Sequence, residues 1–370
     1  MEYSIKYPRK VVVRSSFRLM ARALFPLLSQ SRITGLEKFP RKGPLIVVGN
    51  HTGAMEVVML CSYAPRAVEF MGAVEMPWNG WMGKVVGMYG LIPVFRGYLG
   101  RETLQMGLDV LRQDGMLGVF PEGGFWEPGH QKVQTGAAWL SYKANVPVLP
   151  IGFGDTRGKL AEVFQLKRPG LEMNVGDVLP PVTLDPTMSK KNALQKAANQ
   201  LMDEVWKLVP EEEKQRKARK PEDEHFVLDV EVLDCCGHPV EIPAELALTD
   251  GSWISRFAHR PNLIDSIRDY IFIPVQPLKE LHRYPTAEEI YKAADSMLNY
   301  VDTENPQYFN YRYGYEGGAA FYQSFVELRR LMQWVMEHDY NVAAEVRYEF
   351  TDPDNGERVV LRVPEEVAQW

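Results

Sequence analysis

A histidine and an acid five residues apart stand at the centre of the chemistry this chain can do. They lie in Asn50-His51-Thr52-Gly53-Ala54-Met55-Glu56, directly after a β-branched apolar run. A spacing of five does not put two side chains on one helix face. The two meet if His51 sits in a loop and Glu56 points back from the first turn of the helix that follows. The carboxylate then holds one imidazole nitrogen, fixes the tautomer and stabilises the imidazolium, leaving the other nitrogen to take a proton. A His–acid pair of this kind also serves a purely structural role. A second block, Gly90-Leu-Ile-Pro-Val-Phe-Arg96-Gly97, ends a strand on an arginine whose fork suits a phosphate or a surface ion pair. A third, Val119-Phe120-Pro121-Glu122-Gly123-Gly124, leaves an apolar strand through residues that let a backbone approach a ligand, or make a plain turn. The fourth, Val146-Pro147-Val148-Leu149-Pro150-Ile151, is an apolar strand that could line an acyl or acceptor channel. Its two prolines cannot donate to a ladder and predict an edge or bent position.

The elements that must position these blocks alternate. Pro44–Gly49 is too short and too β-branched for a helix and reads as a strand, followed by a helix over 54–63. Further helices are expected near 80–89, 102–113, 136–144 and 192–208, and strands near 91–95, 116–120, 146–153 and 171–175. That order predicts an α/β domain, a mostly parallel sheet flanked by helices, over residues 1–210. Residues 211–224 hold a single small apolar residue and read as a charged linker or helix extension. Residues 225–370 change pattern to a smaller α+β domain. A hairpin turns at Cys235-Cys-Gly-His238, helices follow at 286–300 and 318–338, and strands 342–350 and 358–363 pair across Asp352-Pro-Asp-Asn-Gly356. The aromatic-rich Tyr308–Tyr315 stretch reads as a loop fit for a ligand, an interface or packing between domains.

Taken in order and spacing, the four blocks resemble the glycerolipid acyltransferase family, which contains 1-acylglycerol-3-phosphate and glycerol-3-phosphate acyltransferases. The resemblance covers roughly residues 33–184 and implies that family's fold and activity. A fatty acyl group would pass from acyl-CoA or acyl carrier protein to the hydroxyl of a lysophospholipid-like acceptor. His51 would be the general base and Glu56 its partner, with Arg96, Glu122 and Gly123 holding the acceptor. No metal and no cofactor beyond the thioester co-substrate is implied. Thioester chemistry agrees, because the acyl group is already activated and the enzyme mainly supplies a base and alignment. No Gly-x-Ser-x-Gly elbow, His-Glu-x-x-His pair or phosphate-cradling loop competes. Two departures stand out. The family's usual acid is aspartate where this chain has Glu56, and its usual Thr-Arg-Ser is replaced by Gly124-Phe125-Trp126. The first leaves room for a non-catalytic lipid-binding scaffold on the same fold. The second removes an arginine that would help bind phosphate. An acyl-thioester hydrolase, needing the same histidine, is the other alternative.

Composition bounds the partners. At 370 residues with a formal net charge of -6, the chain is acidic on average, which argues against nucleic acid. Yet residues 1–42 carry ten Lys or Arg and two Glu. Within them, residues 11–28 read as a basic amphipathic helix, with Arg14, Arg18 and Arg22 in one stripe and Pro26 expected to bend or end it. That helix is either an interfacial membrane anchor or a helix packed on the core with its arginines in water. No run reaches the about 18 apolar residues that span a bilayer, and the arginines interrupt any leader-like segment. Three cysteines make no disulfide framework, and adjacent Cys235 and Cys236 have no distant matching pair for a metal site. The expectation is a reduced, cytoplasmic protein, peripheral on a membrane surface.

Overall fold

Leu45–Gly49 is buried at all five positions, as a strand covered on both sides must be. Alternate residues of this strand, β2, serve opposite cores. Leu45 and Val47 join Met55, Met59, Phe70, Phe153 and Met173, whereas Ile46 and Val48 join Leu108, Leu140, Leu194, Leu201 and Val205. The computed structural model describes residues 7, 9–73, 80–94, 100–123, 133–156, 159–215, 224–258, 286–303, 306, 308–352 and 356–363. Arg96 and Gly124-Phe125-Trp126 lie outside them. The main body of a first compact unit runs to Ala218, and that of a second begins at Arg219.

In the first unit the strands are β1 (Gln30–Thr34), β2 (Leu45–Gly49), β3 (Val68–Ala73), β4 (Ile92–Val94), β5 (Met116–Val119), β6 (Val148–Gly154) and β7 (Gly170–Val175). They form one seven-stranded sheet in the order β1-β7-β6-β2-β5-β3-β4. Only the β6–β7 pairing is antiparallel, so the sheet is mostly parallel, as the alternation of strand and helix predicted. Helices α1 (Val11–Leu28) and α2 (Met55–Tyr63) contribute to the first core, and α4 (Arg101–Arg112), α5 (Gly136–Ala144) and α7 (Lys190–Leu208) to the second. The remaining helices are α3 (Gly80–Tyr89), α6 (Lys159–Phe164) and α8 (Glu211–Gln215). In α8, Glu213 is buried and accepts the Asp155 backbone N–H at 3.2 Å, so the start of the charged segment is built into this unit.

Two local expectations are corrected. Strand β6 is interior, between β2 and β7, and buried throughout despite its prolines. Pro147 precedes the strand and needs only to accept, from Ile46 N–H at 3.1 Å. Pro150 falls in the gap between the Val148–Leu179 bridge and the β7 ladder that begins at Ile151–Val175, where no donor is required. The arginine stripe of α1 is the second correction, because Arg14 and, in part, Arg18 face the protein, while Arg22 is exposed. Arg14 is fully buried, 3.2 Å from Glu69 Oε2, and donates to the Gly90 carbonyl at 2.6 Å and the Tyr7 hydroxyl at 2.8 Å. Arg9 also pairs with Glu69. Val12 (80% exposed), Leu19 (66%), Met20 (52%) and Leu27 (67%) therefore point outward. The helix continues through Pro26 and ends two residues later.

The second unit holds β8 (Glu224–Leu233), β9 (Pro239–Val240), β10 (Asn341–Thr351) and β11 (Arg358–Val363), an antiparallel sheet in the order β11-β10-β8-β9. Gly237 (φ +84°) and Gly356 (φ +76°) supply the left-handed turns. Helices α9 (Ser252–Ala258), α10 (Ala287–Thr303) and α11 (Tyr308–Glu337) surround a core of Ile254, Met297, Phe321, Leu331 and Val335. The Tyr308–Tyr315 stretch is helical rather than a loop, and Phe309 is buried in this core. Its ring lies 4.3 Å from that of Phe321, although a straight helix would separate residues twelve apart by about 18 Å. The helical run therefore folds back on itself. Gly318 sits at the approach, where a Cβ would stand 2.3 Å from Asn310 Oδ1.

Candidate active site

Strands β6, β2 and β5 are adjacent and parallel, so their carboxyl ends emerge together. This is the edge at which open α/β sheets carry their ligands. His51 follows β2, Phe120–Gly123 follows β5, and Thr156 follows β6. Gly49, the last residue of β2, lies so close to Phe153 that a Cβ would stand 2.7 Å from its ring. Asn50 then extends the pairing with its side chain. Its Oδ1 accepts Phe153 N–H at 2.8 Å and its Nδ2 donates to the Phe153 carbonyl at 3.0 Å, which pins the start of the histidine loop to β6.

From there the chain turns and α2 begins at Met55, so Glu56 does lie in the first helical turn. The carboxylate is fully buried and folded back over the loop. Its Oε1 accepts the backbone N–H of Thr52 at 2.9 Å and of Gly53 at 3.0 Å, and the hydroxyls of Thr52 at 2.9 Å and Thr156 at 2.6 Å. Its Oε2 lies 3.7 Å from His51 Nδ1, an ion-pair distance beyond a direct hydrogen bond. Burial pushes the Glu56 pKa up, but the neighbouring His51 imidazole and the Thr156 hydroxyl outweigh it. The acid is held below its ordinary value, as an anion.

The His51 ring is 14% exposed and stacks on Phe120, with centroids 4.0 Å apart and planes 10° from parallel. An aromatic face on one side and a carboxylate at Nδ1 leave the imidazole with little choice of orientation. Glu122 comes in from β5 and accepts the His51 backbone N–H at 2.8 Å. Its carboxyl is 4% exposed; burial raises its pKa, partly opposed by that N–H, and the Glu56 charge raises it further, to about 7. Gly123 adopts φ +70°, a conformation that favours glycine, and its N–H closes a turn onto the Phe120 carbonyl at 3.1 Å.

Of the residues singled out from sequence, His51, Glu56, Glu122 and Gly123 thus converge at one sheet edge, while Arg96 lies outside the described residues. Glu122, which the family resemblance assigns to the acceptor, here holds the histidine loop. Thr52, Phe120 and Thr156 were not singled out. Thr52 and Phe120 lay inside quoted motifs, so adjacency was a usable signal for both. Thr156 stands 100 residues from Glu56 and no motif marks it.

Among the described residues, one group has the makings of a metal site, and it is in the second unit. Asp234, Cys236 and His238 bring their ligand atoms within 4.8 Å of one another on an exposed turn. Asp234 Oδ1 accepts the N–H groups of Cys236 at 2.8 Å and His238 at 2.9 Å, so the arrangement also serves to form the turn. All three cysteines are free thiols.

Comparison with known proteins bears on the same region. The chain is 23% identical to the 1-acyl-sn-glycerol-3-phosphate acyltransferase of Bacillus subtilis (strain 168) over 196 residues, 51% of this chain and 96% of that one. It is 21% identical to the probable 1-acyl-sn-glycerol-3-phosphate acyltransferase of Mycoplasma pneumoniae over 211 residues, 55% of this chain and 78% of that one. Among solved structures, it is similar to the 1-acyl-sn-glycerophosphate (LPA) acyltransferase PlsC from Thermotoga maritima. That match has 21% identity and a TM-score of 0.39, covering 56% of this chain and 81% of that one. Residues 30–154 match the Acyltransferase family, and they run from β1 to the end of β6, through every strand that delivers a residue to the site. Over residues 30–154, then, this chain carries a match to the Acyltransferase family.

Proposed function

We propose that the first unit moves a fatty acyl group from acyl-CoA or acyl carrier protein to the hydroxyl of a 1-acylglycerol-3-phosphate or related lysolipid, with His51 as general base. The observation that carries this reading is the imidazole held between Phe120 and the buried, anionic Glu56 at the carboxyl edge of the sheet. Glu56 stabilises the imidazolium that forms when Nε2 takes the acceptor's hydroxyl proton. The oxygen so freed attacks the thioester carbonyl. The tetrahedral intermediate then collapses, the C–S bond breaks, and the thiolate leaves with the proton held by His51. Arg96 and Gly123 bind the acceptor's glycerol phosphate in this reading, with Glu122 acting on the acceptor through the His51 loop that it holds, and the names of the relatives support a phosphorylated acceptor. No metal or further cofactor is required, because the thioester is activated before it arrives.

Such an acceptor resides in a membrane, and α1 supports a surface contact. With Arg14 and Arg18 turned toward the protein, the helix displays Val12, Leu19, Met20, Leu24 and Leu27 to solvent, an apolar stripe of the kind that marks a lipid or partner interface. No helix among the described residues is long and apolar enough to cross a membrane. Peripheral attachment to the cytoplasmic membrane face is the localisation we infer.

The test is transfer of a labelled acyl group from acyl-CoA and from acyl carrier protein to a panel of lysolipids in mixed micelles. His51→Ala should lose roughly 10²–10⁴-fold in kcat/KM. Undiminished transfer by that variant overturns the mechanism. Release of free fatty acid without an acylated lipid would assign a hydrolase, and silence on every donor and acceptor a binding scaffold.

A further inference from the structure

We infer that Thr156, acting with Thr52, is a positioning residue for the His51–Glu56 pair, and that this hydroxyl pair is what lets a glutamate serve at position 56. The inference rests on the acyl-transfer reading above. Three oxygens form a closed triangle: Thr156 Oγ1 to Glu56 Oε1 at 2.6 Å, Thr52 Oγ1 to Glu56 Oε1 at 2.9 Å, and Thr52 Oγ1 to Thr156 Oγ1 at 2.7 Å. Two hydroxyl protons serve these three contacts. Thr156 donates to the carboxylate, and Thr52 donates either to the carboxylate directly or through Thr156. In either arrangement Oε1 carries the hydroxyl donors, and Oε2, which shares only the Gly53 N–H at 3.2 Å, is the oxygen turned to His51 Nδ1.

The two threonines do different work. Thr52 and the N–H groups of Thr52 and Gly53 belong to the same loop as the histidine and move with it. Thr156 belongs to the sheet. It is 1% exposed, two residues past β6, and the turn that presents it is fixed by Asp155 at φ +55°, whose N–H donates to the buried Glu213 of α8 at 3.2 Å. A hydrogen bond from Thr156 therefore references the carboxylate to the frame of the domain. The extra methylene of glutamate carries the carboxylate out to that hydroxyl. Without it, the longer side chain has one more torsion to satisfy and only loop-borne donors to satisfy it.

Thr156→Val removes the hydroxyl at nearly constant volume and should lower kcat roughly ten- to a hundredfold with KM little changed. It should also move the acid limb of the kcat/KM profile to higher pH, because a carboxylate with one donor fewer puts more of its charge on the protonated form of the base beside it. Thr156→Ser should restore both. In a double-mutant cycle, Glu56→Asp should make Thr156→Val nearly silent, since the shorter acid no longer reaches that hydroxyl. If Thr156→Val fails to fold, Thr156→Ala carries the same expectations. A Thr156→Val enzyme within twofold of the parent, an unmoved pH profile, or effects that add independently of Glu56→Asp would each overturn the inference. Loss of the acyl-transfer reading is recognised separately, by a parent protein inactive on every thioester. In that event the His51 ring is titrated by NMR, assigned by its loss in His51→Ala. A titration identical in parent and Thr156→Val then overturns the inference without any activity being needed.

Discussion

Replacing Glu122 with glutamine keeps the shape of the side chain and an oxygen to accept the His51 N–H, and removes a carboxyl that burial holds near neutrality. The folded protein binds this proton with a pKa of about 7, against an ordinary 4.5. Between those two values the folded chain carries a proton that the unfolded chain has lost. Stability contributed at this site is therefore intact below pH 4.5 and falls as pH rises to 7, after which it levels off. A span of about 2.5 pH units at about 1.4 kcal/mol each amounts to about 3.5 kcal/mol. In Glu122→Gln that slope is gone. Urea unfolding followed by tryptophan fluorescence at pH 4.5, 6, 7 and 8 gives the stability of each protein. The difference between them cancels every group that titrates alike in both. Relative to the parent, the variant should gain about 3 kcal/mol between pH 4.5 and 8, most of it between pH 5 and 7. A difference flat to within about 0.5 kcal/mol across that range would refute the placement of Glu122 as a buried acid beside the Glu56 charge.

Glu69→Gln strips the buried Arg14 and the part-buried Arg9 guanidinium groups of their anion and should destabilise the fold by about 3–5 kcal/mol, read as a lower urea midpoint; a loss under about 1 kcal/mol would mean that Arg14 reaches water. Leu19→Asp combined with Leu27→Asp alters only exposed positions of α1 and should abolish co-flotation with anionic phospholipid vesicles while leaving the unfolding midpoint unchanged. Vesicle binding that survives both changes would locate the membrane contact elsewhere.

The positions of the site residues trace differences in how far local patterns reach. His51 and Glu56 were legible as a pair because both lie in seven consecutive residues, and a loop followed by a helix is the arrangement that lets them meet. Glu122 and Gly123 were legible as a strand exit, but their neighbour was not, since the contact from Glu122 to His51 crosses from β5 to β2. Strand β1 escaped notice because Gln30-Ser-Arg-Ile-Thr34 has no apolar alternation; its identity comes from pairing with β7. The prolines of β6 suggested an edge, yet a proline is tolerated wherever the ladder happens to lack an acceptor, and only the arrangement of the strands says where that is.

From the amino-acid order alone came the alternation of strand and helix, the parallel sheet, the histidine with its acid, and the resemblance to glycerolipid acyltransferases. Those are local matters, set by periodicity, propensity and short motifs. Tertiary structure decided which way α1 faces, because Arg14 finds a buried glutamate on β3 and so sends the apolar stripe to solvent. It also decided what holds Glu56, by laying β6 beside β2 and bringing Thr156 to a carboxylate 100 residues away. A hydrogen bond acts over a few ångströms, and the sequence carries no measure of which distant segments a fold will bring that close.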